Sequence, residues 1–184
     1  MIPWDRLGRR QEGFRYMEHF LSTNRGMTIV ETGCIREMDA WEEAGMSTLV
    51  FSDVVARIDH KLCSIDNNPE AVTLARIHSL GTVCEMDSIA ALNAISTIGA
   101  TKIDLLYLDS LDFFLSDTHT PALHALMELT AAAPSLRPGS LVFVDDNFIQ
   151  PDASFIGKGM YINEFMRRSG RERVFTGYQL GWRW

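Results

Sequence analysis

The chain has 184 residues, of which 46% are hydrophobic and 22% charged, a composition that suits one globular domain with a full core. A formal net charge of −7 argues against general nucleic-acid binding, because phosphate contacts require a basic surface. Three scattered cysteines without a C-x-x-C pair, and no secretory or membrane-length apolar run, are typical of a reduced cytoplasmic protein. We therefore expect a cytoplasmic location and no nucleic-acid or membrane partner; homo-oligomer formation is left open.

Helix and strand patterns alternate along the chain. Residues 11–23 predict an amphipathic helix, and residues 1–25 are interpreted as a helical cap on a single domain spanning 1–184. Ser47 is the predicted N-cap of the next helix, and Asn68 precedes a proline where a third helix begins. The predicted strands cover 27–32, 61–66, 82–85, 103–109 and 140–146, and the later helices begin near 47, 69, 89, 117 and 157.

This alternation implies a parallel sheet with right-handed crossovers. The last twelve residues break at Thr176-Gly177 into two strands, which predicts a C-terminal antiparallel hairpin. The predicted fold class is therefore α/β, Rossmann-like and doubly wound, with a seven-stranded, mostly parallel sheet. Strand four should lie beside strand one, because the ligand crevice of such sheets forms where the strand order reverses.

The stretch from Thr28 to Thr48 predicts a ligand crevice. An apolar strand ends on Glu31, Gly33 follows, and a polar loop leads through Gly45 into a helix. A glycine at this turn lets the backbone approach a ligand closely. The spacing does not match a dinucleotide fingerprint, because about ten residues separate Gly33 from the next glycine.

Every predicted core strand ends on a carboxylate. Because parallel strands present their carboxyl ends at one edge, these acids should meet on one rim. A single acid there has a simpler explanation as a helix cap, which applies most readily to Asp87. The same feature on five strands favours a ligand-binding site. The acids are Glu31, Asp66, Asp87, Asp109 and the pair Asp145-Asp146.

Their positions suggest individual roles. Asp66 lies where an acid can accept both hydroxyls of a ribose. Asp87 can accept from an exocyclic adenine amine, with the Ser88 N–H available to the ring. Glu31 can orient an ammonium group, directly or through water. An adenosine ligand with a positively charged amino-acid end fits these roles better than a dinucleotide does.

The chain resembles class I S-adenosylmethionine-dependent methyltransferases from about residue 26 to its end. The resemblance rests on VETGC (30–34), GMSTLVF (45–51), CSIDNNPEAVTLAR (63–76), CEMDS (84–88), IDLLYLDS (103–110) and LRPGSLVFVDD (136–146). It departs from the family in the segment 35–44, which separates glycines that are usually clustered. The implied cofactor contacts are Glu31, Gly33, Ser47, Thr48, Asp66, Asp87, Ser88 and Asp109.

The last two motifs resemble metal-dependent small-molecule O-methyltransferases of the catechol and sugar-modifying type. That resemblance implies a divalent metal at Asp109, Asp145 and Asp146, with Mg²⁺ the expected ion because carboxylate oxygens suit it. Such an ion would lower the pKa of an acceptor hydroxyl and align it with the methyl group. Asp109 is thus also a candidate catalytic residue, and His119 is the candidate base.

We therefore expect a methyltransferase acting on a small hydroxylated metabolite, such as a sugar or natural-product intermediate. Two alternatives stay open: a metal-dependent, oxygenase-like tailoring enzyme on the same fold, and a non-catalytic S-adenosylmethionine-binding module. A nicotinamide dehydrogenase is disfavoured by the missing glycine cluster.

Overall fold

The computed structural model describes residues 2–42, 45–99 and 101–184. A seven-stranded sheet with the order β3-β2-β1-β4-β5-β9-β8 forms its centre. The first five strands run parallel, and β8 and β9 form an antiparallel hairpin beside β5. The strands are β1 Thr28–Thr32, β2 Lys61–Asp66, β3 Thr82–Glu85, β4 Ile103–Leu108, β5 Leu136–Val144, β6 Asn147–Ile149, β7 Phe155–Gly157, β8 Glu172–Thr176 and β9 Leu180–Arg183.

The predicted α/β fold and seven-stranded sheet are confirmed, as is the position of strand four beside strand one. Within the described residues six α-helices cover the sheet, and a 3-10 helix over Trp4–Arg10 leads into the first of them. The helices are α1 Gln11–Ser22, α2 Ser47–Arg57, α3 Pro69–His78, α4 Ser88–Ile98, α5 His119–Ala132 and α6 Met160–Arg168.

Strand β4 shows why the sheet is covered on both faces. All six of its residues are buried, as expected for a central parallel strand. Leu106 and Leu108 belong to a core shared with α4, α5 and α6, whereas Leu105 and Tyr107 pack into a second core with α1 and α2. This alternation gives three layers, and it leaves only the strand ends open to form a site.

Two local predictions were wrong. Ser47 does not cap α2: the cap position is Met46, and Ser47 is already helical with a buried side chain. The helix expected from residue 157 begins at Met160, because Phe155–Gly157 forms β7 and pairs antiparallel with β6. Two strands of three residues each are too short to give a readable alternation. The small β6–β7 sheet contributes to the functional site.

No helix among the described residues has both the length and the apolar character needed to cross a bilayer. Cys34, Cys63 and Cys84 are all free thiols.

Candidate active site

The loops after β1 and β4 touch at the point where the strand order reverses. Gly33 has φ +85°, and a Cβ atom there would lie 2.4 Å from the carbonyl oxygen of Asp109. Only glycine fits this close approach. Gly33 N–H also donates to Ile65 at 2.8 Å, which ties the turn to β2. The predicted glycine turn is therefore a crowded junction of three strand ends.

A pocket opens at these strand ends, and we call it the strand-end pocket. Asp66 forms one wall, with Oδ2 accepting from Cys34 N–H at 2.7 Å and Oδ1 accepting from Asn68 N–H at 2.8 Å. Asp87 caps α4 by accepting from Ala90 N–H at 2.9 Å. The cap explanation for Asp87 thus holds, yet the residue also lines the pocket. The lining is Gly33, Ile65, Asp66, Asn67, Asp87, Ser88, Ser110, Leu111 and His124.

His124 lies in this pocket, although the sequence analysis did not name it as a site residue. Its Nε2 is 3.2 Å from Ser88 Oγ and 3.5 Å from Glu128 Oε1. Glu128 is buried, and its carboxylate beside the ring raises the pKa of His124 above its ordinary value against the effect of burial. His124 therefore adds a donor or acceptor to the same pocket as Asp87 and Ser88.

Glu31 lies behind the pocket and is fully buried. Ser64 Oγ donates to Glu31 Oε1 at 2.6 Å, whereas Oε2 has no hydrogen-bond partner among the described residues. Burial raises the pKa of Glu31 to about 7, although the hydroxyls of Ser64, Ser47 and Thr48 partly oppose that shift. Thr48 Oγ1 also accepts from Ile35 N–H at 3.1 Å. Ser47 and Thr48 thus act through Glu31 and the loop, and neither lines the strand-end pocket.

The three acids at the ends of β4 and β5 come together as predicted, but each is already paired with a basic side chain. Lys158 Nζ lies 2.5 Å from Asp109 Oδ1 and 2.8 Å from Asp146 Oδ2. Arg10 Nε lies 2.5 Å from Asp145 Oδ2. Tyr178 OH also donates to Asp146. We call these five charged residues the acid–base cluster.

The cluster carries three carboxylates and two cations, which leaves one formal negative charge. Burial raises the pKa of Asp109, and the neighbouring carboxylates add to that effect while Lys158 opposes it. Burial would also raise the pKa of Asp146, but Lys158 and Tyr178 hold it below its ordinary value. Asp109 is therefore the member of the cluster best suited to take up a proton.

The arrangement does not fit the predicted divalent metal. The Lys158 ammonium group lies between the carboxylates of Asp109 and Asp146, where such an ion would be placed, and Arg10 engages Asp145. Among residues 2–42, 45–99 and 101–184, no group of three or more His, Cys, Asp or Glu side chains is placed to hold a metal.

A second cavity of about 390 Å³ lies in front of the cluster, and we call it the arginine-lined cleft. Arg36 crosses it in a bidentate pair with Asp112, with both N–O distances at 2.8 Å. Arg9 stacks over the ring of Tyr178 at 4.3 Å from its centroid. The lining is Gly8, Arg9, Arg10, Arg36, Glu42, Asp109, Asp112, Phe113, Phe114, Asp146 and Tyr178.

A connecting groove joins the two cavities. It shares Gly33 and Asp66 with the strand-end pocket, and it shares Asp109 and Arg36 with the arginine-lined cleft. A ligand placed along the groove would therefore pass Gly33 and end at Asp109. Glu43 and Ala44, the last residues of the predicted insertion, lie outside the described residues.

His119 does not lie at this site. It is exposed at the start of α5, its Nδ1 is 2.6 Å from Tyr161 OH, and the two rings stack. Both side chains line a separate surface hollow with Leu123 and Leu126. The prediction of His119 as base rested on its closeness in sequence to the end of β4, but the segment 109–118 carries it away from the rim.

Sequence reasoning also missed the basic side chains that complete the site. Arg10 reaches Asp145 across 135 positions, and Lys158 reaches Asp109 across 49. The chain offered one indirect signal, because three buried carboxylates in contact require neutralising partners. It offered no signal for which cations supply them.

The sheet order and a cleft at the reversal point define a Rossmann-like methyltransferase fold. A family model described as "Methyltransferase domain" matches residues 43–147, which is more than half of the chain. The chain belongs to this methyltransferase family, as the sequence motifs predicted. None of the curated proteins compared with the chain matches it.

Solved structures of methyltransferases share the fold. MycE methyltransferase from the mycinamycin biosynthetic pathway, solved with Mg, S-adenosylhomocysteine and mycinamycin VI, superposes with a TM-score of 0.58 at 16% identity. That match covers 92% of this chain and 48% of MycE, so the chain spans about half of MycE's length.

Two shorter proteins match over more of their own length. A putative O-methyltransferase from Klebsiella pneumoniae has a TM-score of 0.58 at 14% identity, over 94% of this chain and 80% of its own. An O-methyltransferase from Bacillus cereus, solved with S-adenosylhomocysteine, has a TM-score of 0.58 at 11% identity. That match covers 94% of this chain and 81% of the Bacillus cereus protein. At sequence identities this low, the similarity shows that the fold is shared.

Proposed function

We propose that the chain transfers the methyl group of S-adenosylmethionine to a hydroxyl oxygen of a small metabolite. The observation that carries this proposal is the connecting groove, which leads from the strand-end pocket past Gly33 to Asp109 at the edge of the arginine-lined cleft. Two cavities that meet at one buried carboxylate suit a reaction between two ligands. The proposal assigns the cofactor to the first cavity and the acceptor to the second.

The strand-end pocket suits the adenosine part. Asp66 keeps lone pairs for ribose hydroxyls after accepting from two backbone N–H groups, and Asp87 and Ser88 edge the position proposed for adenine. Gly33 lines both this pocket and the connecting groove, along which the chain that joins ribose to the methionine end would pass. The Bacillus cereus neighbour, solved with S-adenosylhomocysteine, supports this choice of ligand.

The charge of the site suits a cationic cofactor. S-adenosylmethionine supplies a methyl group on a positively charged sulfonium centre. Glu31 has a buried oxygen without a hydrogen-bond partner in the described part of the chain, and the acid–base cluster carries one unneutralised formal negative charge. Both features favour a positive ligand over a negatively charged pyrophosphate, which a dinucleotide would bring.

The arginine-lined cleft suits a small polar acceptor. Its volume of about 390 Å³ lies within the usual range for ligand pockets. Phe113 and Phe114 offer apolar surface, and Arg9 and Arg36 offer donors. A hydroxylated sugar or natural-product intermediate has matching apolar faces and oxygen atoms.

Asp109 is the proposed general base. Only its Oδ1 is bonded to Lys158, and burial raises its pKa toward the range in which a base works near neutral pH. As the acceptor oxygen forms its bond to the methyl carbon, the carbon–sulfur bond breaks and the hydroxyl proton passes to Asp109. Because the metal site does not fit the described residues, no step is assigned to a metal.

A metabolite screen tests the proposal. Purified protein with S-adenosylmethionine and a library of hydroxylated metabolites should release S-adenosylhomocysteine with at least one acceptor and yield its methyl ether. Asp109→Asn should lower kcat by roughly 10²–10⁴-fold, because it removes the base. Asp59→Asn, an exposed acid at the opposite end of β2, is the matched control and should retain wild-type turnover.

The same screen distinguishes the alternatives. Cofactor binding without methylation of any acceptor would favour the non-catalytic binding module. Equal turnover by Asp109→Asn and wild type would refute the assignment of the base while leaving methyl transfer in place.

A further inference from the structure

Lys158 is a buried lysine held among acids rather than a surface side chain that happens to reach them. Its side chain is 3% exposed, and its ammonium group contacts both Asp109 and Asp146. Burial alone would lower the pKa of Lys158, but the carboxylates raise it above its ordinary value, so the lysine stays charged. A charged ammonium group with two carboxylate partners satisfies the physical requirement for a buried ion.

The backbone fixes this position. Gly157 has φ +124°, and a Cβ atom there would lie 2.0 Å from the carbonyl oxygen of Asp146, so only glycine fits at this position. Lys158 N–H donates to that same carbonyl at 3.2 Å. The β6–β7 sheet therefore returns the chain directly onto the end of β5.

Asn147 completes the attachment. It is buried, its Nδ2 donates to Val144 and Asp145 carbonyls at 2.9 Å each, and its Oδ1 accepts from Gly159 N–H at 2.7 Å. The residues on both sides of Lys158 are thus bonded to the loop that carries Asp145 and Asp146. Because these hydrogen bonds hold the backbone of Lys158 in place, its ammonium group is positioned as accurately as that of a residue on a helix or strand.

We propose that the ammonium group of Lys158 is the resident cation of the acid–base cluster and replaces a divalent metal there. Lys158 and Arg10 neutralise two of the three carboxylates, and a metal ion could bind only if Lys158 left its place. Lys158 thereby acts as a positioning residue that orients Asp109 toward the acceptor. The part of this inference that concerns methyl transfer rests on the function proposed above, whereas the part that concerns cation binding does not.

The inference predicts that removal of one lysine creates a metal site. Wild-type protein should show no saturable rise in melting temperature with Mn²⁺ or Mg²⁺, and no change with EDTA. Lys158→Ala leaves Asp109 and Asp146 without their shared cation beside Asp145, so saturating Mn²⁺ should raise its melting temperature by about 5 °C or more. Lys61→Ala, which removes an exposed lysine at the start of β2, should behave as wild type.

Two further measurements keep the test decisive if Lys158→Ala folds poorly. Folding of that variant only in the presence of Mn²⁺ would support the inference. Crystals of wild-type protein soaked in Mn²⁺ should show no anomalous peak between Asp109, Asp145 and Asp146, and a peak there would overturn it. Saturable Mn²⁺ binding by wild type that is lost in Asp145→Asn would overturn it as well.

The activity assay separates this inference from the proposed function. If an acceptor is methylated, EDTA should leave turnover unchanged, and loss with EDTA that Mg²⁺ restores would overturn the role of Lys158. If no acceptor is methylated, the proposed function fails, but the Mn²⁺ measurements on wild type and Lys158→Ala still decide which cation the cluster holds.

Discussion

Replacement of Arg10 by alanine is expected to lower the free energy of unfolding by about 3–5 kcal/mol, because it leaves a buried carboxylate without its cation. Asp145 has no exposed surface, and the only hydrogen bond to its carboxylate among the described residues comes from Arg10 Nε. Arg10 also donates to the carbonyl of Glu42 and lies 3.4 Å from Asp146 Oδ1. Urea unfolding followed by tryptophan fluorescence measures the loss.

A matched control and a second substitution locate the cause. Arg25→Ala removes an exposed arginine and should change the free energy of unfolding by less than about 0.5 kcal/mol. Asp145→Asn introduced into Arg10→Ala should recover part of the loss, because it removes the unpaired charge. A loss below about 1 kcal/mol in Arg10→Ala would show that Asp145 does not depend on this pair.

Replacement of Glu31 by glutamine is expected to stabilise the fold at pH 8 by up to about 3 kcal/mol, because the pKa of Glu31 is raised from its ordinary 4.5 to about 7. Below pH 4.5 the carboxyl is protonated in both states, and wild type has its full stability. As the pH rises through about 7, the unfolded state has already lost the proton, and the folded state must give it up at a cost. The stability that the protonated Glu31 carboxyl contributes is therefore lost as the pH rises from 4.5 through about 7.

The comparison of Glu31→Gln with wild type at pH 5 and pH 8 isolates this effect from other titrating groups. The stability difference should increase toward pH 8, whereas Glu12→Gln, the same change at an exposed position, should show no trend. A difference that stays constant with pH would contradict the raised pKa. A buried acid that destabilises its own fold at neutral pH is expected at a ligand site, so the glutamine variant should also bind S-adenosylhomocysteine more weakly.

The sequence predicted the fold well because its signals were local and repeated. Buried strands such as 103–109 and caps such as Asn68 can be recognised within a few residues, and the alternation of helix and strand then implies a parallel sheet. The rim of acids followed from the same rule, because parallel strands end together. These predictions needed no knowledge of which side chains touch.

The chemistry of the site was harder to predict because it depends on contacts between distant parts of the chain. Nothing near Arg10 or Lys158 in sequence indicates that they reach Asp145 and Asp109. The motif LVFVDD implied a metal by resemblance, and the resemblance could not reveal that the β6–β7 sheet returns a lysine onto the same acids. His119 shows the converse, since a residue close in sequence to the end of β4 lies on another surface.

Calorimetric titration with S-adenosylhomocysteine and with NAD⁺ tests the cofactor assignment most directly. Wild type should bind S-adenosylhomocysteine and not NAD⁺. Asp66→Ala should weaken that binding by about 1–3 kcal/mol, because the ribose hydroxyls lose their acceptor. Asp59→Ala, an exposed acid away from the strand-end pocket, should bind as wild type does. Binding of NAD⁺ without S-adenosylhomocysteine, or an Asp66→Ala affinity equal to that of wild type, would contradict the account.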